Sequence, residues 1–312
     1  MNRYLKSCLQ SGVGIAARLS PKVRHARTTG ISIFVFHDVS SNKSPFSVRH
    51  GLTVSPDLFR DQVEWITRNF NVIHPDRLLS GDTPKGSAVL TFDDGWAGTF
   101  REGFPVLESL GLPALAFLNL EPIQEGSYLA SAMADYLGAF EPSFKEFASE
   151  NGLTAPYHLS LTPESYERYV ETHGTTHEEN QIIDQGQMAD RADLDYWDGH
   201  DLFRYANHLY NHWNAASLTD SELKLQYNRN EDLLKSYASA LPLFAYPNGQ
   251  PGTCYLPSQD QKLLSYGANR LFSATGRINT INCDKVLDRI ALGEWHDRVS
   301  RYWYGFGRKT LL

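Results

Sequence analysis

Residues 31–39 read ISIFVFHDV, a β-branched and aromatic run that predicts a buried strand. Phe59, Val63, Ile66 and Phe70 then recur at helical spacing behind Ser55-Pro56, an N-cap followed by a first-turn proline. A short strand is predicted over 71–74 and a second buried one over 88–92, ending in Asp93-Asp94-Gly95. The pattern next gives a helix to about Leu110, stopped by Gly111, and a strand over 113–120. Strand, helix and strand in succession predict a parallel α/β sheet or barrel.

The rhythm breaks after Leu120. Residues 121–195 carry helical patterns at 128–140 and 163–172, joined by polar stretches such as 178–187, with no strand pattern. So long a strandless stretch inside an α/β pattern predicts an insertion on the barrel mouth. Strands return at 202–207, 243–246, 270–274 and 286–292. Between them lie a helix over 219–238, opened by a Thr219/Glu222 capping box, and one over 258–266 that ends at Gly267. The chain therefore reads as a basic segment (1–29) and one barrel-like domain (30–312) with a helical insertion at about 121–195.

Charge sharpens that division. The 312 residues carry a net charge of −7, yet Arg3, Lys6, Arg18, Lys22, Arg24 and Arg27 make residues 1–37 a +6 segment without a single acid. Residues 121–195 hold fifteen acids against Lys145, Arg168 and Arg191, a sum of −12. In the basic segment Leu5, Leu9, Val13 and Ala16 predict one face of a short surface helix, able to rest on an anionic membrane. Gln10, Ser11, Gly12 and Gly14 interrupt the apolar stretch that a secretory signal needs. Cys8, Cys254 and Cys283 form neither a disulfide framework nor a paired-cysteine metal site. The expectation is a cytoplasmic protein with membrane association through its basic head, and no nucleic-acid partner.

Candidate chemistry begins at Asp93-Asp94-Gly95. Two adjacent carboxylates at the end of a buried strand need compensation. On a regular strand they would point to opposite faces; where strand gives way to loop at Gly95, both can reach the barrel mouth. One is then free to ligate a metal while the other accepts a proton. His208 and His212 follow a strand at four-residue spacing, and on a helical turn both rings would share one face and bind one cation with an aspartate. His173 and His177 have the same spacing, but Gly174, Thr175 and Thr176 weaken a helix there and no strand delivers the pair to the mouth.

These residues resemble the motifs of the NodB-homology polysaccharide deacetylases, carbohydrate esterase family four. Thr91-Phe92-Asp93-Asp94-Gly95 resembles the first motif, and Asn207-His208-Leu209-Tyr210-Asn211-His212 the second. Phe244-Ala245-Tyr246-Pro247-Asn248-Gly249 is similar to the third, Phe36-His37-Asp38-Val39 to an opening strand, and Leu287-Asp288-Arg289-Ile290 to the closing one. The resemblance implies a distorted, incomplete (β/α) barrel. It also implies metal-dependent removal of the N-acetyl group from N-acetylhexosamine units of a polysaccharide or its precursor, with release of acetate. A divalent metal, most often zinc, would sit on Asp94, His208 and His212. Asp93 would be the general base toward a metal-activated water, and the backbone amide of Tyr246 would steady the oxyanion. The histidine that many members place near the closing motif is missing, which leaves His37 or His296 as proton donor; the arginine paired with the base is Arg204 or Arg289. Trp96, Trp197, Trp213, Tyr210 and Tyr246 are candidate stacking surfaces for sugar rings.

Other functions remain open on sequence alone. A small amide could be the substrate of the same fold, or the chain could be a degenerate glycan-binding protein, although all four central residues are present. A glycosyltransferase would rest only on Asp193-Leu194-Asp195, which no nucleotide-binding pattern precedes. The acidic insertion predicts a lid that favours neutral over anionic glycans.

Overall fold

The computed structural model describes residues 3–174, 178–281 and 285–311. The apolar runs form strands β1 (Ile31–Phe36), β2 (Asp38–Val39), β3 (Thr53–Val54), β4 (Asn71–Val72), β5 (Ser87–Phe92), β6 (Ala114–Leu118), β7 (Phe203–Asn207), β8 (Ala240–Ala245), β9 (Arg270–Phe272), β10 (Val286–Leu287) and β11 (Ile290–Ala291). Nine of them make one parallel sheet in the order β10-β9-β8-β7-β6-β5-β1-β11, with β4 also against β5, while β2 and β3 pair separately. Every residue of β1, β5 and β6 is buried, as expected for parallel strands covered on both faces.

Alternation along the strands creates two cores. Ile33, Val89, Phe117, Ala206, Ala245 and Phe272 come from strands spread across the sheet yet meet in one cluster, so the sheet curls and they fill its concave side. Phe34, Phe36, Leu90, Phe92, Phe203 and Tyr205 point the other way, toward the helices. The predicted strand over 286–292 is split in two. β10 and β11 lie at opposite ends of the sheet order, although only Asp288 and Arg289 separate them. Three residue steps span at most about 11 Å, so the two edges of the sheet are drawn together by the chain itself. This is the incomplete barrel, and its seam carries Arg289.

The basic head forms helices Arg3–Leu19 and Pro21–Thr29, the first packed along the C-terminal helix Val299–Leu311. The side it turns to the protein is made of small residues, not of the predicted apolar face. Gly14 and Ala17 face inward: a Cβ on Gly14 would lie 1.7 Å from the Ser300 carbonyl oxygen, and one on Gly307 would lie 2.6 Å from the Ala17 methyl. Small residues let the two helices approach, and Leu9, Ile15 and Leu19 are turned outward.

Seven helical pieces between Leu120 and Trp197 lie between β6 and β7. The polar stretch 178–187 is largely helix (Glu178–Gln185) rather than loop. The insertion is fastened to the barrel. Arg49 holds Asp135 and Asp184, each at 2.6 Å, Arg101 holds Asp193 at 2.8 Å, and Met188 bridges to Trp96 as in an antiparallel pair.

Candidate active site

β5 ends with Asp93 continuing the inward register of Val89 and Thr91. A regular strand would turn Asp94 away, but its backbone takes a left-handed conformation (φ 74°) and Gly95 follows at φ 96°, which brings the second carboxylate to the same side. Trp96 donates its indole N–H to Asp94 Oδ2 at 2.8 Å, leaving Oδ1 facing inward. This tryptophan orients a carboxylate and is not a sugar platform.

His208 and His212 reach the same point by a route that their spacing did not predict. Residues 208–212 are not helical. They form a bent loop in which Leu209 has φ 66°, and the two rings come within 5.0 Å of one another. Amide side chains hold this shape. Asn207 accepts from the Leu209 N–H, Asn119 donates to the carbonyls of His208 and Leu209, Gln226 accepts from Asn211 N–H, and Asn211 accepts from His212 N–H. These four side chains replace the helical ladder. His208 Nδ1 lies 2.7 Å from the Ala245 carbonyl, which requires the proton on Nδ1 and leaves Nε2 bare toward Asp94.

Asp94, His208 and His212 are all buried, and one potential ligand atom from each lies within 4.8 Å of the others; this is the one such cluster among the described residues. Asp94 Oδ1 and His208 Nε2 have no hydrogen-bond partner, and His212 turns Nε2 toward the same Asp94 oxygen at 3.4 Å. Buried orphans of this kind are costly unless a ligand satisfies them, and two imidazoles with one carboxylate suit a divalent cation. The residues therefore fit a metal. Burial holds His212 down to about 4 despite the neighbouring Asp94, so its ring is neutral near pH 7 and its lone pair available.

Asp93 has a separate partner. Its Oδ1 accepts from Arg289 Nη1 at 2.5 Å, and its Oδ2 stands 3.8 Å from His208 Nε2. Burial alone would raise Asp93, but Arg289, His208 and His37 together hold it below the usual carboxylate range. Between the two arginine candidates the structure decides: Arg204 pairs with Asp76 at 3.0 Å, away from this site.

A cavity of about 330 Å³ opens on this cluster, lined by Asp93, Asp94, His212, His37, Asn248 and Arg289 at one part and by His50, His158, Ser131 and Arg308 elsewhere. His37 lies in it. His296 does not: its Nδ1 accepts from Gly293 N–H at 3.1 Å and its ring packs against Gly305 of the C-terminal helix. Tyr246 is also corrected. Its amide continues the β8–β9 ladder by donating to Phe272 O at 3.0 Å, and its ring stacks on Tyr255 at 3.8 Å, so it offers the cavity no free donor. Two residues on, Asn248 has φ 60°, lines the cavity, and keeps a buried Nδ2 without an acceptor. The Asn-Gly pair in Tyr-Pro-Asn-Gly is the sequence signal for that left-handed turn. None of the five aromatic candidates lines the cavity. Asp94, Leu209 and Asn248 are the only non-glycine residues with positive φ among those described, one in each motif loop. Strain at about 1–3 kcal/mol each is thus concentrated around the site.

The rival histidine pair is elsewhere. His173 stacks on Tyr169 at 4.8 Å within the insertion, and His177 lies outside the described residues. Asp193 caps its own helix and pairs with Arg101, which accounts for the acidic triplet. No acid of the insertion lines the cavity; its contributions there are Ser131 and His158.

Comparison with known proteins agrees with this geometry. The polysaccharide deacetylase family model matches residues 80–140, which include Asp93 and Asp94. No curated protein sequence matches the chain. Among solved structures, IcaB from Ammonifex degensii is similar with a TM-score of 0.58 at 16% identity, over 88% of this chain and 97% of that one. A de-N-acetylase from Aggregatibacter actinomycetemcomitans has a TM-score of 0.54 at 14% identity, over 87% and 97%. The Streptococcus pyogenes deacetylase PplD, solved with acetate, has 0.52 at 16% identity, over 85% and 93%. At these identities the likenesses establish the fold.

Proposed function

We propose that the chain is a polysaccharide deacetylase of the NodB-homology family, a hydrolase of carbon–nitrogen bonds other than peptide bonds, and that it removes the N-acetyl group from N-acetylhexosamine units of a polysaccharide or its precursor. The observation that carries this reading is the division of the buried carboxylates. Asp94 faces two histidines with its free oxygen, while Asp93, next to it, is held ionised by Arg289.

Asp94, His208 and His212 would hold the cation, zinc by their nitrogen and oxygen donors. When bound, it supplies Lewis-acid polarisation of the acetamide carbonyl and acidifies water. Asp93 accepts the proton of the attacking water as the new carbon–oxygen bond forms, and Arg289 fixes the carboxylate that does so. Asn248, which lines the cavity with an unanswered side-chain N–H, would donate to the oxyanion in the role that the resemblance gave to Tyr246. The carbon–nitrogen bond then breaks, His37 gives a proton to the departing amine, and acetate and a free amine result.

A second reading, hydrolysis of a small acetamide, is supported by the cavity volume, which lies near the low end for ligand sites. The test is acetate release from a panel of N-acetylglucosamine oligomers, a single N-acetylated sugar and simple acetamides. Turnover of oligomers above the others supports the glycan reading; turnover confined to small acetamides replaces it.

The N-terminal helix supports peripheral contact with an anionic membrane. Leu9, Ile15 and Leu19 are 53%, 55% and 68% exposed and fall along one side of the helix, within a segment of six cations and no acid. No helix among the described residues is long and apolar enough to cross a membrane.

A further inference from the structure

We infer that Arg308 makes the catalytic cavity a binding site for an oxyanion carried by the substrate, a phosphate or carboxylate on the N-acetylated sugar or its immediate neighbour. The inference rests on the deacetylase reading and adds the substrate class to it.

The charges of the cavity are otherwise committed. Asp93 is spent on Arg289, and Asp94 is held by Trp96 toward the two histidines. Arg308 reaches the same cavity from the C-terminal helix Val299–Leu311. It is half-buried, and its Nε is wholly covered without an acceptor. Its guanidinium carbon lies 5.3 Å from the centre of the Tyr304 ring, and no carboxylate pairs with it among the described residues.

Other covered arginines of this chain are treated differently. Arg49 holds two aspartates, Arg204 holds Asp76, Arg289 holds Asp93, and Arg270 donates to the Leu78 carbonyl. Leaving the covered Nε–H of Arg308 unanswered forfeits a charge-assisted hydrogen bond of the kind this fold elsewhere provides. The guanidinium's planar fork matches the paired oxygens of a carboxylate or phosphate.

Size sets the reach. A cavity of about 330 Å³ is near the lower end for ligand sites and takes about one sugar unit. An oxyanion on Arg308 therefore belongs to the sugar being deacetylated or to the next one. The insertion does not oppose this charge, since Ser131 and His158, not its acids, face the cavity.

The test uses the full chain and three N-acetylhexosamine substrates: neutral, phosphate-bearing and uronate-bearing. In Arg308→Gln, kcat/KM for an anionic substrate should fall roughly ten- to a hundredfold further than for the neutral one, mostly through KM. Arg308→Lys should recover part of the difference, and whichever anionic substrate shows it identifies the source of the oxyanion. Equal losses on neutral and charged substrates would overturn the proposal. Titration calorimetry with inorganic phosphate gives a readout independent of turnover, with circular dichroism to verify folding. Phosphate binding kept in Arg308→Lys and lost in Arg308→Gln supports the site; equal phosphate binding in all three proteins, or no phosphate binding in the parent together with no Arg308-dependent preference for the uronate-bearing substrate, overturns it. If the parent releases acetate from no glycan, the deacetylase reading fails while the phosphate titration still decides Arg308. Acetate binding that needs Arg308, with no Arg308-dependent preference for either anionic substrate, would make it a product site and also overturn the proposal.

Discussion

Asp93 and Asp94 are chain neighbours that meet different partners: Arg289 on one side, His208, His212 and Trp96 on the other. That division predicts different losses. Asp93→Asn keeps shape but cannot accept a proton, so bound metal should persist while turnover falls about a hundredfold or more. Asp94→Asn should weaken metal binding itself. Metal analysis beside the kinetics checks this, and equal metal loss in both variants would make Asp93 a ligand. At this scale the expected grouping of Asp94, His208 and His212 is found, each signal modest alone and telling only in its order along the chain. What was hidden depended on partners distant in sequence. Arg289 and Arg204 look alike until one is seen against Asp93 and the other against Asp76. Tyr246 looked like the oxyanion donor because sequence does not reveal that its amide is already used by β9.

Elements were read well where local chemistry fixes them. The Thr219/Glu222 capping box opens the helix Asp220–Leu234, and Ser55-Pro56 opens Pro56–Asn69. The histidine loop was misread because its conformation is imposed by amides from Asn119 and Gln226, 15 residues or more away from their partners. The N-terminal helix was expected as a surface helix with one apolar face; what sequence did not show is that Gly14 and Ala17 take its inner side, because only small residues fit against Ser300 and Gly307. The outward stripe predicts a measurable attachment. Full-length protein should sediment with vesicles rich in anionic lipid, weakly with zwitterionic ones, and less as salt is raised. Replacing Leu9, Ile15 and Leu19 together with Gln should reduce binding roughly tenfold or more. Unchanged binding contradicts the attachment, and a dimer that dissociates in the triple variant instead identifies a second copy of the chain as the partner.

For the whole molecule, the barrel seam joins fold to function. β10 and β11 close the sheet through Asp288-Arg289, and the arginine of that link is buried against Asp93. Insertion and barrel are likewise coupled, since residues 187–189 hydrogen-bond to residues 95–97 directly after the two aspartates. The expected acidic lid is not what the cavity meets; Asp135, Asp184 and Asp193 are spent on arginines that pin the insertion down. No sequence pattern announces such pairings across 86 to 135 residues. The central claim is that one cation on Asp94, His208 and His212 enables amide hydrolysis. Titrating zinc into chelator-stripped protein while following acetate release from an N-acetylglucosamine oligomer tests it directly. Activity should be absent at the start, rise in proportion to added metal, and level off at one equivalent per chain; full activity in the stripped protein would contradict it.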